Sequence, residues 1–162
     1  MRLLGAALQR LSPFQVMNQP DDCVICKLLS GELEVSMVYQ DDRCSAFLDH
    51  QPVNPGHTLV VPNRHASNLA ELREEEGAYL FRIAQRIAAA LRKSGVRCEG
   101  VNIRLADGEA AGQGVFHSHL HIIPRYVGDG FGLTFGPHYW NKPERQELNA
   151  IADKISGSLQ SL

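Results

Sequence analysis

The longest periodic segment of the chain predicts a helix. Between residues 74 and 93, apolar side chains recur at the spacing of one helix face, at Leu80, Ile83, Ala84, Ile87 and Leu91. Acidic residues open the segment and Arg92 and Lys93 close it, which suits the helix macrodipole, and Gly95 is a candidate C-cap. We therefore expect one long amphipathic helix whose apolar stripe packs on a sheet or on a partner.

Shorter segments on both sides of this helix carry strand patterns. The stretches VSMVYQ and CSAFLD flank Asp41 and Asp42 and predict a hairpin, and HTLVVP predicts a buried strand. GVNIRLA alternates apolar and polar residues, and VFHSHLHIIP is expected to be the last strand of the core. Short helices are expected in DDCVICKLLSG and in residues 142–162. Together these elements predict an α+β fold with about five antiparallel strands in meander order, one long crossover helix and smaller terminal helices.

The overall composition argues against several classes of protein. The 162 residues are 44% hydrophobic and 21% charged, as is usual for one globular domain with an appendage. The formal net charge of −2 lacks the basic excess of a general nucleic-acid binder. No apolar run approaches the roughly 18 residues of a membrane-spanning helix. We therefore expect neither nucleic acid nor a membrane among the partners.

The first residues, MRLLGAALQRLSPFQVMNQP, form a short basic and apolar leader. The leader carries Arg2 and Arg10 and no acidic residue, which is also the composition of a transit peptide. We interpret it as a plain N-terminal extension, because its apolar core is too short for a secretory signal. Without a secretory signal, the expected compartment is the reducing cytoplasm.

Three of the seven histidines fall within five residues. His117, His119 and His121 alternate along the predicted last strand, so we expect them to share one face, roughly 7 Å apart. Phe116, Leu120 and Ile122, which alternate with the histidines, then point the other way, into the core. Because three imidazoles on one face are costly to bury without partners, the pattern indicates a site.

Two kinds of chemistry fit this cluster. The three imidazoles could hold a catalytic zinc ion, although side chains on a flat strand diverge and no acidic residue follows in IIPRYVG. Alternatively, one neutral histidine attacks phosphorus while its neighbours orient it and stabilise charge. The preceding stretch GEAAGQG could cradle phosphate oxygens with the backbone N–H groups around Gly112 and Gly114 and with the Gln113 amide.

The segment HSHLHII resembles the H-φ-H-φ-H-φ-φ signature of the histidine triad (HIT) nucleotide hydrolases and transferases. The resemblance extends over DDCVICKLLSGE, AFLDHQPVNPGHTLVVPNRH and GVNIRLADGEAAGQGVFHSHLHIIPR. It implies a HIT-like fold, with a catalytic domain at 22–126 after an extension at 1–21. A C-terminal loop and helix, 127–162, are expected to pack on the same domain. The resemblance also implies a homodimer paired through the long helix and a strand edge.

The resemblance implies a role for each site residue. His119 would be the nucleophile on the α-phosphate, forming a nucleotidyl-histidine intermediate. His121 would hydrogen-bond the phosphate or the bridging oxygen, and His57 would flank the phosphate. Asp49 matches the acidic residue that holds the ribose hydroxyls. Gln113 matches the glutamine that contacts the phosphate or the leaving group.

Cys23 and Cys26 form a C-x-x-C pair, one half of the four cysteines in the chain. Two buried thiols or a redox pair are the alternatives to metal ligation. In zinc-bearing relatives the first triad histidine is a ligand, so the resemblance implies a structural zinc site of Cys23, Cys26, His65 and His117. Such a site would pin the N-terminal segment to the catalytic strand.

The resemblance thus implies a hydrolase that acts on a nucleoside phosphoramidate or a dinucleoside polyphosphate carrying a purine. Cleavage at the α-phosphorus would release a nucleoside monophosphate. A nucleotidyl transferase or phosphorylase differs only in the second attacking group and stays open, as does a metal-centred hydrolase. Gly114 and Ala106 replace residues that are common in relatives, which leaves the preferred leaving group open.

Overall fold

The computed structural model describes residues 22–161, so the predicted N-terminal extension lies outside the described residues. In chain order the elements are the helix α1 (Val24–Ser30), the strands β1 (Met37–Gln40), β2 (Cys44–Leu48) and β3 (Thr58–Pro62), the helix α2 (Glu74–Leu91), the strands β4 (Gly100–Arg104) and β5 (Leu120–Arg125), and the helix α3 (Arg145–Leu159). The predicted α+β class is confirmed, with five strands and the long helix between β3 and β4.

The five strands form one antiparallel sheet in the order β1-β2-β3-β5-β4. The predicted hairpin of β1 and β2 is present. The order departs from a simple meander at the last two strands, because α2 carries the chain past one strand position before β4 begins. The next strand, β5, returns into that gap and is hydrogen-bonded to a neighbour on both edges.

One face of the sheet is covered by α2. The buried stripe of this helix joins the sheet side chains Val60, Leu120 and Ile122 in one apolar cluster. The helix ends at Leu91, two residues before the predicted end, with Arg92 as its C-cap. Gly95 lies in the turn that follows, where its φ of 84° needs a glycine.

The opposite face of the sheet is covered by α1. Alternation along β2 and β3 turns Phe47 and Val61 to this face, where they pack with Cys23 and Cys26. Cys23 is the N-cap of α1, and its Sγ accepts a hydrogen bond from the Cys26 N–H at 3.4 Å. The short helix therefore places both cysteines against the face that carries the candidate site.

The described chain divides into two compact units, with the boundary between Asp129 and Gly130. The second unit holds α3, and no residue of this helix is buried. The predicted packing of the C-terminal segment on the catalytic domain stays a prediction. Within residues 22–161, no helix combines the length and the apolar character needed to cross a membrane.

Candidate active site and metal centre

A cleft of about 1240 Å³ opens on the sheet face that α1 covers. One end is apolar and is lined by Ile25 and Leu28 of α1 together with Phe47 and Leu59. The other end is polar, and its lining includes Asp49, Gly112, Gly114, His119 and His121. This distribution suits a ligand with one apolar and one polar end, such as a nucleotide.

The backbone sets the tautomer of His119. Its Nδ1 lies 2.6 Å from the carbonyl oxygen of His117, which can only accept, so Nδ1 carries the proton. The lone pair of the neutral ring is therefore on Nε2. Because the ring borders the cleft, His119 offers this nitrogen as a nucleophile at the polar end.

His57 and His121 form a hydrogen-bonded pair. The Val53 N–H donates to His57 Nδ1 at 3.3 Å, so a neutral His57 carries its proton on Nε2. This Nε2 lies 3.0 Å from His121 Nδ1, which therefore accepts and leaves the His121 proton on Nε2. The ring centroids of His119 and His121 are 4.8 Å apart. A lone pair and an N–H donor thus lie side by side at one end of the cleft.

Burial keeps this pair of imidazoles neutral. It lowers the pKa of His57 below its ordinary value of 6.5, and Asp49, whose Oδ2 is 3.6 Å from His57 Nδ1, opposes that shift. Burial, reinforced by the neighbouring His119 and His57, lowers the pKa of His121 to about 4. At neutral pH, His121 is therefore an N–H donor without a charge.

His57 is buried behind the lining of the cleft. Its side chain is only 3% exposed and does not border the cleft. His57 instead contacts His121, which does border the cleft, and can orient that ring through their hydrogen bond. The predicted place of His57 beside the phosphate stays a prediction.

Gln113 is also turned away from the cleft. It is 4% exposed, its Oε1 accepts from the Gly108 N–H at 2.7 Å, and its Nε2 donates to the Ser67 carbonyl at 2.6 Å. Backbone groups thus occupy both ends of the amide, and the predicted contact of Gln113 with the phosphate or the leaving group stays a prediction. Gln113 holds the glycine-rich loop, so that the neighbouring Gly112 and Gly114 border the cleft.

Asp49 lies at the polar end of the cleft, just after β2. Its Oδ1 accepts from the Gln51 N–H at 2.9 Å and so caps the turn that follows. The side chain is 15% exposed. The carboxylate therefore stabilises a turn and lies where a ligand in the cleft can reach it.

Cys23, Cys26, His65 and His117 form a second cluster, and their four candidate ligand atoms lie within 4.8 Å of one another. Cys23 Sγ is 3.5 Å from His117 Nδ1, and Cys26 Sγ is 3.5 Å from His65 Nδ1 and 3.6 Å from His117 Nδ1. A tetrahedral zinc ion, with bonds of about 2.3 Å to sulfur and about 2.0 Å to nitrogen, separates its sulfur and nitrogen ligands by about 3.5 Å. The donor set and its spacing therefore fit zinc.

The outer nitrogens of the two histidines in this cluster also have partners. His117 Nε2 lies 2.9 Å from the Pro62 carbonyl and donates to it, which leaves the lone pair on Nδ1. His65 Nε2 is 3.1 Å from Ser67 Oγ. Burial lowers the pKa of His117 to about 4, which keeps the ring in the neutral form that binds metals. Burial also raises the pKa of Cys26 to about 12, an effect that a coordinated cation reverses.

The segment before β5 is bent, so this strand is shorter than the predicted stretch VFHSHLHIIP. β5 begins at Leu120, so His117 and His119 precede it. The Ser118 N–H donates to the Ala66 carbonyl at 2.6 Å instead of joining a strand ladder. His117 consequently belongs to the cysteine cluster, whereas His119 borders the cleft.

The sequence pattern did not predict several other features of the site. Phe116 was expected in the core and is 52% exposed, because it lies in the bent segment. The Val53 N–H and the Pro62 carbonyl set the tautomers of His57 and His117. Because every residue type carries a carbonyl and nearly every one an N–H, the sequence does not show these contacts. The apolar spacing of Ile25 and Leu28 in α1 is the one signal that could have indicated the cleft wall.

Comparisons with known proteins show the family of this chain. Residues 30–128 match the HIT domain family. Over 147 residues the chain is 40% identical to Protein hit from Bacillus subtilis, and the alignment covers 90% of this chain and 99% of the relative. A HIT family protein from Bacillus anthracis has a similar crystal structure, with a TM-score of 0.78, 38% identity, and coverage of 86% of this chain and 99% of that chain. A zinc-bound histidine triad family protein from Mycobacterium smegmatis is also similar, with a TM-score of 0.66, 36% identity, and coverage of 86% and 96%. This chain therefore belongs to the histidine triad (HIT) family.

Proposed function

We propose that this protein hydrolyses a nucleoside phosphoramidate or a dinucleoside polyphosphate at the α-phosphorus through a nucleotidyl-histidine intermediate. HIT family proteins are generally nucleotide hydrolases or transferases, which supports the class of reaction. The observation that carries the proposal is the pairing of His119 and His121. A nucleophilic Nε2 on the first ring and an Nε2–H donor on the second border the polar end of one cleft.

In the first step, His119 Nε2 forms a bond to the α-phosphorus while the bond between phosphorus and the leaving group breaks. The leaving group keeps the electron pair of the broken bond, and an amine leaving group also takes up a proton from solvent. The His119 Nδ1–H stays bonded to the His117 carbonyl and stabilises the positive charge that develops on the ring. His121 donates its Nε2–H to a phosphoryl oxygen or to the bridging atom. Backbone N–H groups around Gly112 and Gly114 supply further donors for the equatorial oxygens.

In the second step, water attacks the same phosphorus atom. The bond to His119 breaks, its electron pair returns to Nε2, and the products are a nucleoside monophosphate and the original neutral ring. The water proton leaves to solvent. A phosphorylase or nucleotidyl transferase follows the same first step and uses a different group in the second.

The remainder of the cleft suits a purine nucleoside. We assign the ribose hydroxyls to Asp49, whose carboxylate lies next to the histidine pair. The apolar end, between α1 and the side chains of Phe47 and Leu59, is the candidate base pocket. Apolar walls favour a large planar base through area burial, which supports a purine.

We further propose a structural zinc ion held by Cys23, Cys26, His65 and His117. Four protein ligands fill a tetrahedron, which is typical of a structural site without an open position. When bound, the ion supplies a positive charge that stabilises the two cysteines as thiolates. The metal-centred alternative needs all three triad histidines on one ion, and the place of His117 in the cysteine cluster, with its Nδ1 3.5 Å from Cys23 Sγ, argues against it.

The proposal has three further parts, which are the domain bounds, the oligomeric state and the compartment. The catalytic domain occupies residues 22–126 and is followed by the loop and helix of residues 127–162, and two copies of the chain pair through α2 and a sheet edge. The compartment is the reducing cytoplasm, because Cys23 and Cys26 must stay reduced to bind a metal. All four cysteines are free thiols in the structure, which agrees with this compartment.

The test is rapid-quench trapping with a substrate that carries a radiolabelled α-phosphate. We expect an acid-labile, base-stable adduct on the wild-type protein and none on His119→Ala, with turnover reduced at least about 10³-fold. His138→Ala is the matched control, since His138 is exposed and lies in the second unit. Equal turnover by wild type and His119→Ala, or no adduct with any of a panel of substrates, contradicts the proposed function.

A further inference from the structure

The cleft lacks a fixed positive charge for the substrate that the proposed function requires. Its charged lining residues in the described chain are two acids, Glu34 and Asp49, and the lining includes no lysine or arginine. His121 does not supply the charge, because burial keeps it neutral at pH 7. A substrate with several phosphate charges therefore needs a cation from just outside the lining.

A row of side chains across the sheet points to that cation. The register pairs Met37 with Phe47, Phe47 with Leu59, Leu59 with His121, and His121 with Arg104. Directly opposed residues of antiparallel strands have side chains on the same face. The row therefore crosses all five strands on the cleft face, from the apolar end through His121 to Arg104.

Arg104 is available for a ligand. It is exposed, and no carboxylate among residues 22–161 lies within ion-pair distance of its guanidinium. One N–H donates to the Ala111 carbonyl at 3.3 Å. The same nitrogen is 3.5 Å from the position where a Cβ on Gly112 would lie, so the guanidinium is held beside the loop that borders the cleft. Its remaining N–H groups are donors that suit phosphate oxygens.

The position of Arg104 in this row indicates which part of the substrate it can contact. The apolar end takes the base, and His119 and His121 take the α-phosphate. The leaving group continues away from the nucleoside, and Arg104 is the next residue of the row beyond His121. We propose that Arg104 binds a negatively charged leaving group and selects nucleotides whose α-phosphate is joined to a further phosphate over phosphoramidates of neutral amines. This inference rests on the proposed function and names its substrate class.

The experiment compares two substrates of the full-length protein, a dinucleoside tetraphosphate and an adenosine phosphoramidate of an uncharged amine. The measured quantity is the ratio of their kcat/KM values. Arg104→Gln is expected to lower the ratio about tenfold, as the loss of one charge-assisted contact predicts. Arg104→Lys, which keeps the charge, is expected to lose less. Arg97→Gln is the control, because Arg97 is equally cationic and exposed but lies before β4, next to Glu99.

Salt gives a second readout. Because Arg104 is exposed, its charge is screened, so higher ionic strength should lower the ratio in the wild type and leave it flat in Arg104→Gln. An unchanged ratio in Arg104→Gln, or an equal loss on both substrates, overturns the inference. Equal losses in Arg104→Lys and Arg104→Gln also overturn it, because charge would then have no part. In each case a trapped adduct on His119 shows that the proposed function still stands, whereas no adduct with either substrate overturns that function itself.

Discussion

At the scale of single residues, the histidines of the site differ through the partner of one ring nitrogen. The His117 carbonyl accepts from His119 and leaves a lone pair on its Nε2. The Val53 N–H donates to His57 Nδ1, so the proton of His57 is on Nε2, which donates to His121 Nδ1. Because a backbone carbonyl only accepts and a backbone N–H only donates, the backbone fixes which nitrogen of each histidine carries the proton. Identical side chains thereby obtain different chemical tasks.

The low pKa of His121 predicts how stability depends on pH. In the unfolded chain this histidine becomes protonated as the pH falls through 6.5, whereas in the fold it stays neutral until about 4. The unfolded state therefore binds more protons between these values, and the free energy of unfolding falls with falling pH. Relative to His121→Gln, the wild type should lose roughly 1–2 kcal/mol over this interval, a value reduced for the partial exposure of the ring.

Urea denaturation of both proteins at several pH values between 7 and 4 measures this difference. Glutamine can still accept the hydrogen bond from His57, so the variant isolates the titration of His121. Acid also weakens metal binding, but both proteins carry the same cysteine cluster, and this effect cancels in the comparison. Parallel stability curves for the two proteins would show that His121 is not held neutral by the fold.

At the scale of elements, local periodicity was enough to predict the helices and strands but not their ends. The stripe of α2 and the alternation of β4 depend on neighbours in the chain, which the sequence displays. The start of β5 depends on a distant bond, from the Ser118 N–H to the Ala66 carbonyl, and no local pattern reports it. The contacts of Gln113 could not be predicted for a similar reason, because its partners include the Ser67 carbonyl, 46 positions away.

The short helix α1 links the metal cluster to the cleft. Its first turn holds Cys23 and Cys26, and the same helix lines the apolar end of the cleft with Ile25 and Leu28. A helix of 7 residues is too short to be stable alone, so tertiary contacts must hold it in place. The metal is therefore expected to stabilise the fold and the nucleotide pocket together.

Cys26→Ala tests the metal site at this scale. We expect zinc content, measured by atomic emission, to fall from about one ion per chain to a trace, because one of four ligands is lost. The melting temperature should drop by roughly 10 °C, since metal binding contributes to folding free energy. Cys98→Ser is the control, because Cys98 lies outside the cluster and its thiol donates to the Gly100 carbonyl at 3.2 Å. Full zinc retention in Cys26→Ala, as a site made of the three triad histidines requires, contradicts the assignment.

At the scale of the whole molecule, the strand order shows what the sequence left undetermined. Five strands and a crossover helix were predictable, but the insertion of β5 between β3 and β4 was not, because pairing partners of interior strands are long-range choices. That insertion matters for function, since it places His121 beside both Leu59 and Arg104. It also makes β4 one edge of the sheet within residues 22–161.

This edge gives the last prediction, which concerns the proposed homodimer. An open edge strand readily pairs with a second chain, and natural monomers usually protect such edges with charge or proline. β4 carries one charged residue, Arg104, but also Ile103, which is 38% exposed, and the exposed face of α2 adds Phe81, which is 50% exposed. We expect sedimentation equilibrium to give twice the mass of the chain for the wild type and a monomer for Ile103→Lys. Val38→Lys on β1, the other edge, is matched in chemistry because Val38 is 48% exposed, and it should leave the dimer intact. Dissociation by Val38→Lys with a stable Ile103→Lys dimer would move the interface to the opposite edge, and a monomeric wild type would remove the dimer from the proposal.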